Sequence, residues 1–128
     1  MNTPQPEDVH TRFAELFAAG DLDGLLGLYE PDAVLLPQPG VQVGGLAAIR
    51  DTLSAFLAMN GTFHMPPGKP IQANDIALIF SDWSLTMTGP DGQPSELKGQ
   101  TSDVLRRQPD GNWRIVIDSP FGAAGLGG

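Results

Sequence analysis

The sequence predicts an α+β fold in which three N-terminal helices pack on one face of a strongly curved antiparallel sheet. Up to Asn60 the apolar residues recur with the period of a helix in three segments, which a short extended region interrupts, whereas from Thr62 onwards they alternate with a period of two. The 16 glycines and 12 prolines are too many for a helical bundle and suit strands joined by tight turns. Helices that precede an antiparallel meander are typical of the α+β class.

Each predicted helix has an apolar stripe and a residue that ends it. The stripes are Val9, Phe13, Leu16 and Phe17 in the first helix, Leu22, Leu25, Leu26 and Tyr29 in the second, and Leu46, Ile49, Leu53, Phe56 and Leu57 in the third. Gly20 ends the first helix and Pro31 the second, whose first turn Asp21 caps by accepting its free N–H groups. Gly44-Gly45 opens the third helix, and Asn60-Gly61 ends it.

The strands are predicted from alternation and from the turns between them. We predict extended segments at residues 33–36, around 41–43, and at 62–65, 71–74, 76–87, 96–107 and 112–118. The turn sequences GPDG, at residues 89–92, and PDG, at residues 109–111, join consecutive long strands. These strands are therefore expected to be antiparallel neighbours.

Composition limits the domain organisation and the partners. We expect one domain over residues 1–128, with a core from about residue 7 to residue 121 and a flexible tail over residues 122–128. The net charge of −8 and the scattered basic residues argue against nucleic acid as a partner, since phosphate contacts need a basic patch. No apolar run approaches the length of a membrane span, so we expect no membrane association and a cytoplasmic location.

Residue types also limit the chemistry. The absence of cysteine excludes disulfides, thiol catalysis and thiolate metal sites. The two histidines are far apart and no metal-ligand spacing is present, so we expect no metal site. A phosphate-binding or dinucleotide-binding glycine motif is also absent from the sequence, and we expect no cofactor.

Three segments resemble a known superfamily: GDLDGLLGLYEPDAVLLPQPG, GGLAAIRDTL and SDVLRRQPDGNWRIVIDSPFG. In this order they are similar to the nuclear transport factor 2-like superfamily, in the branch that includes ketosteroid isomerase and SnoaL-like polyketide cyclases. The resemblance extends from about Val9 to Phe121. It implies a cone-shaped α+β barrel, a pocket between the helices and the concave sheet, and a homodimer formed through the outer sheet face.

The resemblance also indicates which catalytic groups this chain lacks. The general base of the isomerases would fall on Pro37, and the tyrosine of their oxyanion hole on Phe13. Their protonated aspartic acid would correspond to Asp103. Because proline cannot titrate and phenylalanine cannot donate a hydrogen bond, steroid isomerisation by that route is not expected.

Three residues are candidates for catalysis. Asp103 lies in a predicted central strand, where a cavity-facing carboxyl group would tend towards its neutral form; the alternative is an aspartate on the polar side of the strand. Pairing across the turn at residues 109–111 could bring Asp118 near Asp103, although Asp118 before Ser119-Pro120 also fits an ordinary turn. His64 could transfer a proton or could be an exposed strand residue, and His10 is expected on the solvated side of the first helix.

The sequence leaves two functional hypotheses open. The first is a SnoaL-like protein with an apolar pocket that binds a small polyketide-like or steroid-like ligand, either as an isomerase or cyclase-type enzyme or as an accessory protein. Asp103 would then be the acid, and Asp118 or His64 the base. The second is a non-catalytic dimeric association or binding module. The predicted pocket lining, for which core packing is the alternative, is Phe13, Phe17, Tyr29, Pro37, Trp83, Met87 and Trp113.

Overall fold

The computed structural model of the protein describes residues 2–122 and confirms the α+β class. The helices are α1 (Pro6–Ala18), α2 (Leu22–Leu26) and α3 (Leu46–Ala58). The strands are β1 (Tyr29–Gln38), β2 (Val41–Gly44), β3 (Thr62–His64), β4 (Pro70–Ala73), β5 (Ile76–Thr88), β6 (Pro94–Arg107) and β7 (Trp113–Ser119). Residues 123–128 of the predicted flexible tail lie outside the described residues.

The seven strands form one curved, unclosed sheet. Its order is β2-β1-β7-β6-β5-β3, and β4 pairs with β5 beside β3. Strands β5, β6 and β7 form the predicted antiparallel meander. One pair departs from the predicted antiparallel arrangement, because β1 and β7 run parallel. Parallel neighbours need a long crossover, which here includes everything from β2 to β6, so no local turn sequence indicates this pairing.

The sequence predicts Tyr29 at the end of the second helix, but in the structure Tyr29 is the first residue of β1. Helix α2 ends at Leu26, and the backbone N–H of Ile115 in β7 donates to the carbonyl oxygen of Leu28 at 2.7 Å. This pairing extends the chain from Tyr29 onwards, so β1 also includes Pro31 and Pro37. Pro37 lies where the register between β1 and β2 shifts, which is where a strand can accommodate a residue without an N–H group.

The helices cover the concave face of the sheet and bury its inward side chains. Asp21 caps α2 by accepting a hydrogen bond from the Gly24 N–H at 2.9 Å, as predicted. In β5 and β7 the inward residues Ile79, Leu85 and Ile115 are at most 2% exposed. Within residues 2–122, the helices lack the length and apolar character needed to cross a bilayer.

Candidate functional site

A cavity lies between the helices and the concave face of the sheet. The centre of a water molecule can move through about 70 Å³ of it, several times the roughly 10–15 Å³ that a single water needs. Most of its wall is apolar and aromatic, with rings from Phe13, Phe17, Phe56, Phe63, Trp83 and Phe121. A small number of polar groups in a mostly apolar wall is typical of a ligand-binding site.

The aromatic rings form a continuous surface on one side of the cavity. The Phe63 ring centroid lies 5.0 Å from that of Phe17, 5.4 Å from that of Phe13 and 6.1 Å from that of Trp83. The indole N–H of Trp83 donates to the carbonyl oxygen of Pro120 at 2.6 Å, and the Trp83 and Phe121 centroids are 5.6 Å apart. The segment after β7 is thereby held against the cavity.

Two carboxyl groups face each other in the polar part of the wall. Asp103 in β6 and Asp118 in β7 are direct partners across the antiparallel ladder, and both side chains line the cavity. Asp103 is 3% exposed and Asp118 is 9% exposed. Each carboxyl group shifts the pKa of the other, so the two titrate as a pair.

Three further side chains complete this polar cluster. His10 in α1 lies with its Nε2 atom 2.6 Å from Oδ2 of Asp103. The hydroxyl of Thr101 donates to Oδ1 of Asp103 at 2.8 Å. The phenol of Tyr29, at the start of β1, donates to Oδ2 of Asp118 at 2.6 Å. We call His10, Tyr29, Thr101, Asp103 and Asp118 the polar cluster.

The pKa shifts divide the two carboxyl groups into an acid and a base. Burial raises the pKa of Asp103 to about 6, while its hydrogen bond with Asp118 acts to lower it. Burial raises the pKa of Asp118 well above its usual range, and the charge of Asp103 and the same hydrogen bond raise it further. Both carboxyl groups therefore resist ionisation, and Asp118 holds its proton more strongly than Asp103.

The same environment keeps the neighbouring groups neutral. Burial lowers the pKa of His10 to about 4, although the nearby Asp118 carboxyl group acts in the opposite direction. Burial and the neighbouring Asp118 raise the pKa of Tyr29 well above its usual range. His10 is therefore a neutral imidazole at pH 7, and Tyr29 keeps its phenolic proton.

The structure brings some of the predicted site residues together and separates others. Asp103, Asp118, Phe13, Phe17, Tyr29 and Trp83 line the cavity, whereas His64, Pro37, Met87 and Trp113 do not. His64 is exposed, because its neighbour Phe63 takes the inward position of β3. Met87 and Trp113 have inward positions, but Met87 follows the cavity-lining residues of β5 and Trp113 precedes those of β7.

His10 and Thr101 belong to the cluster but were not among the predicted site residues. His10 had been expected on the solvated side of α1; the structure corrects this, since His10 is 1% exposed. One signal in the sequence could have found it, because His10, Phe13 and Phe17 have the spacing of one helical face. Among the residues described, no group of three His, Cys, Asp or Glu side chains is arranged to hold a metal ion.

Comparison with known proteins identifies the family. The SnoaL-like domain matches residues 10–116 of this chain. The chain belongs to the SnoaL-like domain family. Epoxide hydrolase LasB from Streptomyces lasalocidi is 32% identical to this SnoaL-like domain over 96 residues, which is 74% of this chain and 33% of LasB. The chain thus spans about a third of the length of this relative.

Solved structures share the fold of this SnoaL-like domain at low sequence identity. A Mycobacterium tuberculosis protein of unknown function superposes with a TM-score of 0.76 at 23% identity, over 88% of this chain and 70% of that one. A nuclear transport factor 2-like protein from Salmonella enterica superposes with a TM-score of 0.75 at 20% identity, over 88% and 84% of the two chains. These similarities confirm the nuclear transport factor 2-like fold.

Proposed function

We propose that this SnoaL-like domain is an acid–base enzyme that acts on a small, apolar, ring-containing molecule of the polyketide or steroid type. The observation that carries the proposal is the pair of cross-strand carboxyl groups, Asp103 and Asp118, in the wall of a mostly apolar cavity. Titratable groups whose environments push their pKa values apart are characteristic of acid–base sites.

The roles of the two carboxyl groups follow from their protonation states. Asp118 keeps its proton and acts as the acid, donating to an oxygen of the ligand on which negative charge develops. Asp103 is ionised at neutral pH and acts as the base that accepts a proton from the ligand. These roles differ from the expectation drawn from the resemblance to ketosteroid isomerase, in which Asp103 was the acid.

Tyr29 and Thr101 position these two groups. Each donates one hydrogen bond to a carboxyl oxygen, Tyr29 to Asp118 and Thr101 to Asp103. Tyr29 also provides a phenol in a cavity whose first helix carries Phe13 at the position of the isomerase tyrosine. The site thus contains an acid, a base and a phenol without using Pro37 or Phe13 for chemistry.

The name of the relative LasB supports an oxygen-centred reaction. An epoxide hydrolase opens a carbon–oxygen bond, and the oxygen that leaves carbon must be protonated or hydrogen-bonded. Protonation of an epoxide oxygen and protonation of an enolate oxygen both need a neutral acid in an apolar site. Asp118 suits either substrate class.

Ligand identification and turnover test the proposal. Small molecules that copurify with the protein are released and identified by mass spectrometry, with styrene oxide and 2-tetralone assayed in parallel as an epoxide and an enolisable ketone. We expect Asp103→Asn and Asp118→Asn each to lower kcat by about 100-fold or more. Asp82→Asn, at an exposed position of β5, is the matched control and should leave kcat unchanged. Unchanged turnover in both cavity variants would exclude this mechanism.

The second candidate function is a non-catalytic dimeric association or binding module. An apolar row on the outer face of the sheet supports the formation of such a dimer. Val34, Ile117, Val104, Leu78 and Ile71 form one row of direct cross-strand partners over five strands. Ile71 is 66% exposed and Ile117 is 40% exposed. We propose that this row, which we call the outer apolar row, is covered by a second copy of the chain. A module that binds no ligand needs no cavity, so the open cavity favours the enzyme.

A further inference from the structure

His10 has one ring nitrogen that the polar cluster leaves unused. Its side chain lines the cavity at 1% exposure, and its Nε2 atom contacts Asp103. Its Nδ1 atom is buried and has no hydrogen-bond partner among the described residues. The hydroxyl groups of Tyr29 and Thr101 in the same wall both have partners. A buried polar atom without a partner is unfavourable, so such an atom on a residue that lines the cavity calls for an explanation.

The contact with Asp103 determines which nitrogen of His10 carries the proton. Asp118 holds its proton more strongly than Asp103, and Asp103 already accepts from Thr101 at Oδ1, so Nε2 donates to Oδ2 of Asp103. His10 is a neutral ring at pH 7 and has a single N–H proton. Nδ1 therefore has a free lone pair and can only accept.

We propose that Nδ1 of His10 is a ligand-binding atom that accepts a hydrogen bond from a hydroxyl group of the bound molecule. The cavity then selects apolar ring compounds that carry a phenol, enol or alcohol group over the corresponding ethers. This inference rests on the proposed function, whose ligand occupies the same cavity, and it specifies the chemical class of that ligand.

The hydroxyl group is distinguished from other oxygen functions by its proton. A carbonyl, ether or epoxide oxygen would face the lone pair of Nδ1 without a proton between the two atoms. Such an oxygen is matched instead to Asp118, which carries a proton. The ligand class that fits both atoms has a hydroxyl group for His10 and an acceptor oxygen for Asp118.

Binding of small aromatic probes tests the selection. Phenol, anisole and toluene have similar apolar rings, and of the three only phenol can donate a hydrogen bond. We expect calorimetric titration at pH 7 to show phenol binding about fivefold or more tightly than anisole. His10→Phe keeps an aromatic ring and removes both nitrogens, so the preference should fall below about twofold. His64→Gln, at an exposed histidine, should retain it.

Nitrogen NMR of the wild-type protein tests the same point without a cavity variant. With ¹⁵N-labelled histidine, only His10 and His64 contribute, and His64→Gln assigns the signals. We expect Nδ1 of His10 to be unprotonated in the free protein and its resonance to shift with phenol but not with toluene. The proposal is overturned by a protonated Nδ1, by a Nδ1 resonance that phenol leaves unmoved, or by phenol binding no tighter than anisole.

The two proposals can fail separately. The phenol preference depends on Nδ1 of His10, whereas turnover depends on the Asp103 and Asp118 carboxyl groups. A retained phenol preference with unchanged turnover in Asp103→Asn and Asp118→Asn would refute only the acid–base mechanism. Loss of turnover in those variants without a phenol preference would refute only the role of His10.

Discussion

Burial of the Asp118 carboxyl group makes the stability of the protein depend on pH. The folded protein keeps the proton of Asp118 at pH values where the unfolded chain has released it. Because the folded state then binds more protons than the unfolded state, the free energy of unfolding falls as pH rises above the unfolded pKa of about 3.9. This loss of stability is complete only once the pH passes the raised pKa of Asp118 in the folded protein. Asp103 contributes in the same direction, up to its pKa of about 6.

Asp118→Asn should remove the contribution of this residue to the pH dependence. Asparagine imitates the protonated acid, since its amide can still donate to Asp103 and accept from Tyr29. We expect the stability of the variant relative to wild type to increase by about 1.4 kcal/mol per pH unit between about pH 5 and pH 7. Urea denaturation at these pH values measures it, with Asp82→Asn as the exposed control. Parallel pH profiles for wild type and Asp118→Asn would show that Asp118 is ionised in the folded protein.

At the scale of elements, the connection between β3 and β4 packs directly on the backbone of β5. Ser81 in β5 donates to the carbonyl oxygen of Pro66 in this connection. Gly68 lies so close to β5 that a Cβ atom there would be 1.7 Å from the carbonyl oxygen of Phe80. A backbone oxygen in a paired strand cannot move aside as the end of a side chain can, so the connection requires glycine at this position.

Gly68→Ala should therefore destabilise the protein strongly. We expect a loss of about 3 kcal/mol or more in the free energy of unfolding, which is at the upper end for overpacking. Gly44→Ala is a matched control in β2, because a Cβ atom there meets no other atom within 4 Å. It should change stability by less than about 0.5 kcal/mol. Similar urea midpoints for the two variants would contradict the close approach at Gly68.

At the scale of the whole molecule, the two faces of the sheet have different roles. The concave face carries the cavity and the polar cluster, while the outer apolar row crosses five strands on the other face. Val104 in this row precedes Leu105 and follows Asp103, both of which point inwards. A single strand thus supplies the candidate base to one face and the proposed dimer contact to the other.

Val104→Glu tests the proposed dimer at the centre of the outer apolar row. Light scattering coupled to gel filtration should show a dimer for the wild type and a monomer for the variant, because the charge would be buried at the interface without a partner. Ser84→Glu is the control, since it adds the same charge to the outer face of β5 opposite Lys98. A monomeric wild type at tens of micromolar would remove the dimer proposal.

Much of the fold was predictable because its signals are local. The change of period at Thr62 marks the end of the last helix, and the turns at residues 89–92 and 109–111 specify the meander of β5, β6 and β7. The second turn makes β6 and β7 neighbours, but a register shift between Leu105 and Val104 is also needed to bring Asp118 opposite Asp103. The start of β1 was not predictable in this way, because the backbone at Tyr29 is extended through its pairing with β7, a strand distant in sequence.

The sequence by itself determined the fold class, the helices and the meander, whereas the register shift that brings Asp118 opposite Asp103 appears only in the structure. Only the tertiary structure decided which other side chains join them. His10 is 93 residues from Asp103, and Tyr29 is 89 residues from Asp118. Such contacts depend on how α1 and the parallel strand β1 pack against the meander. Propensity and periodicity act over a few residues, whereas packing decides which distant residues meet.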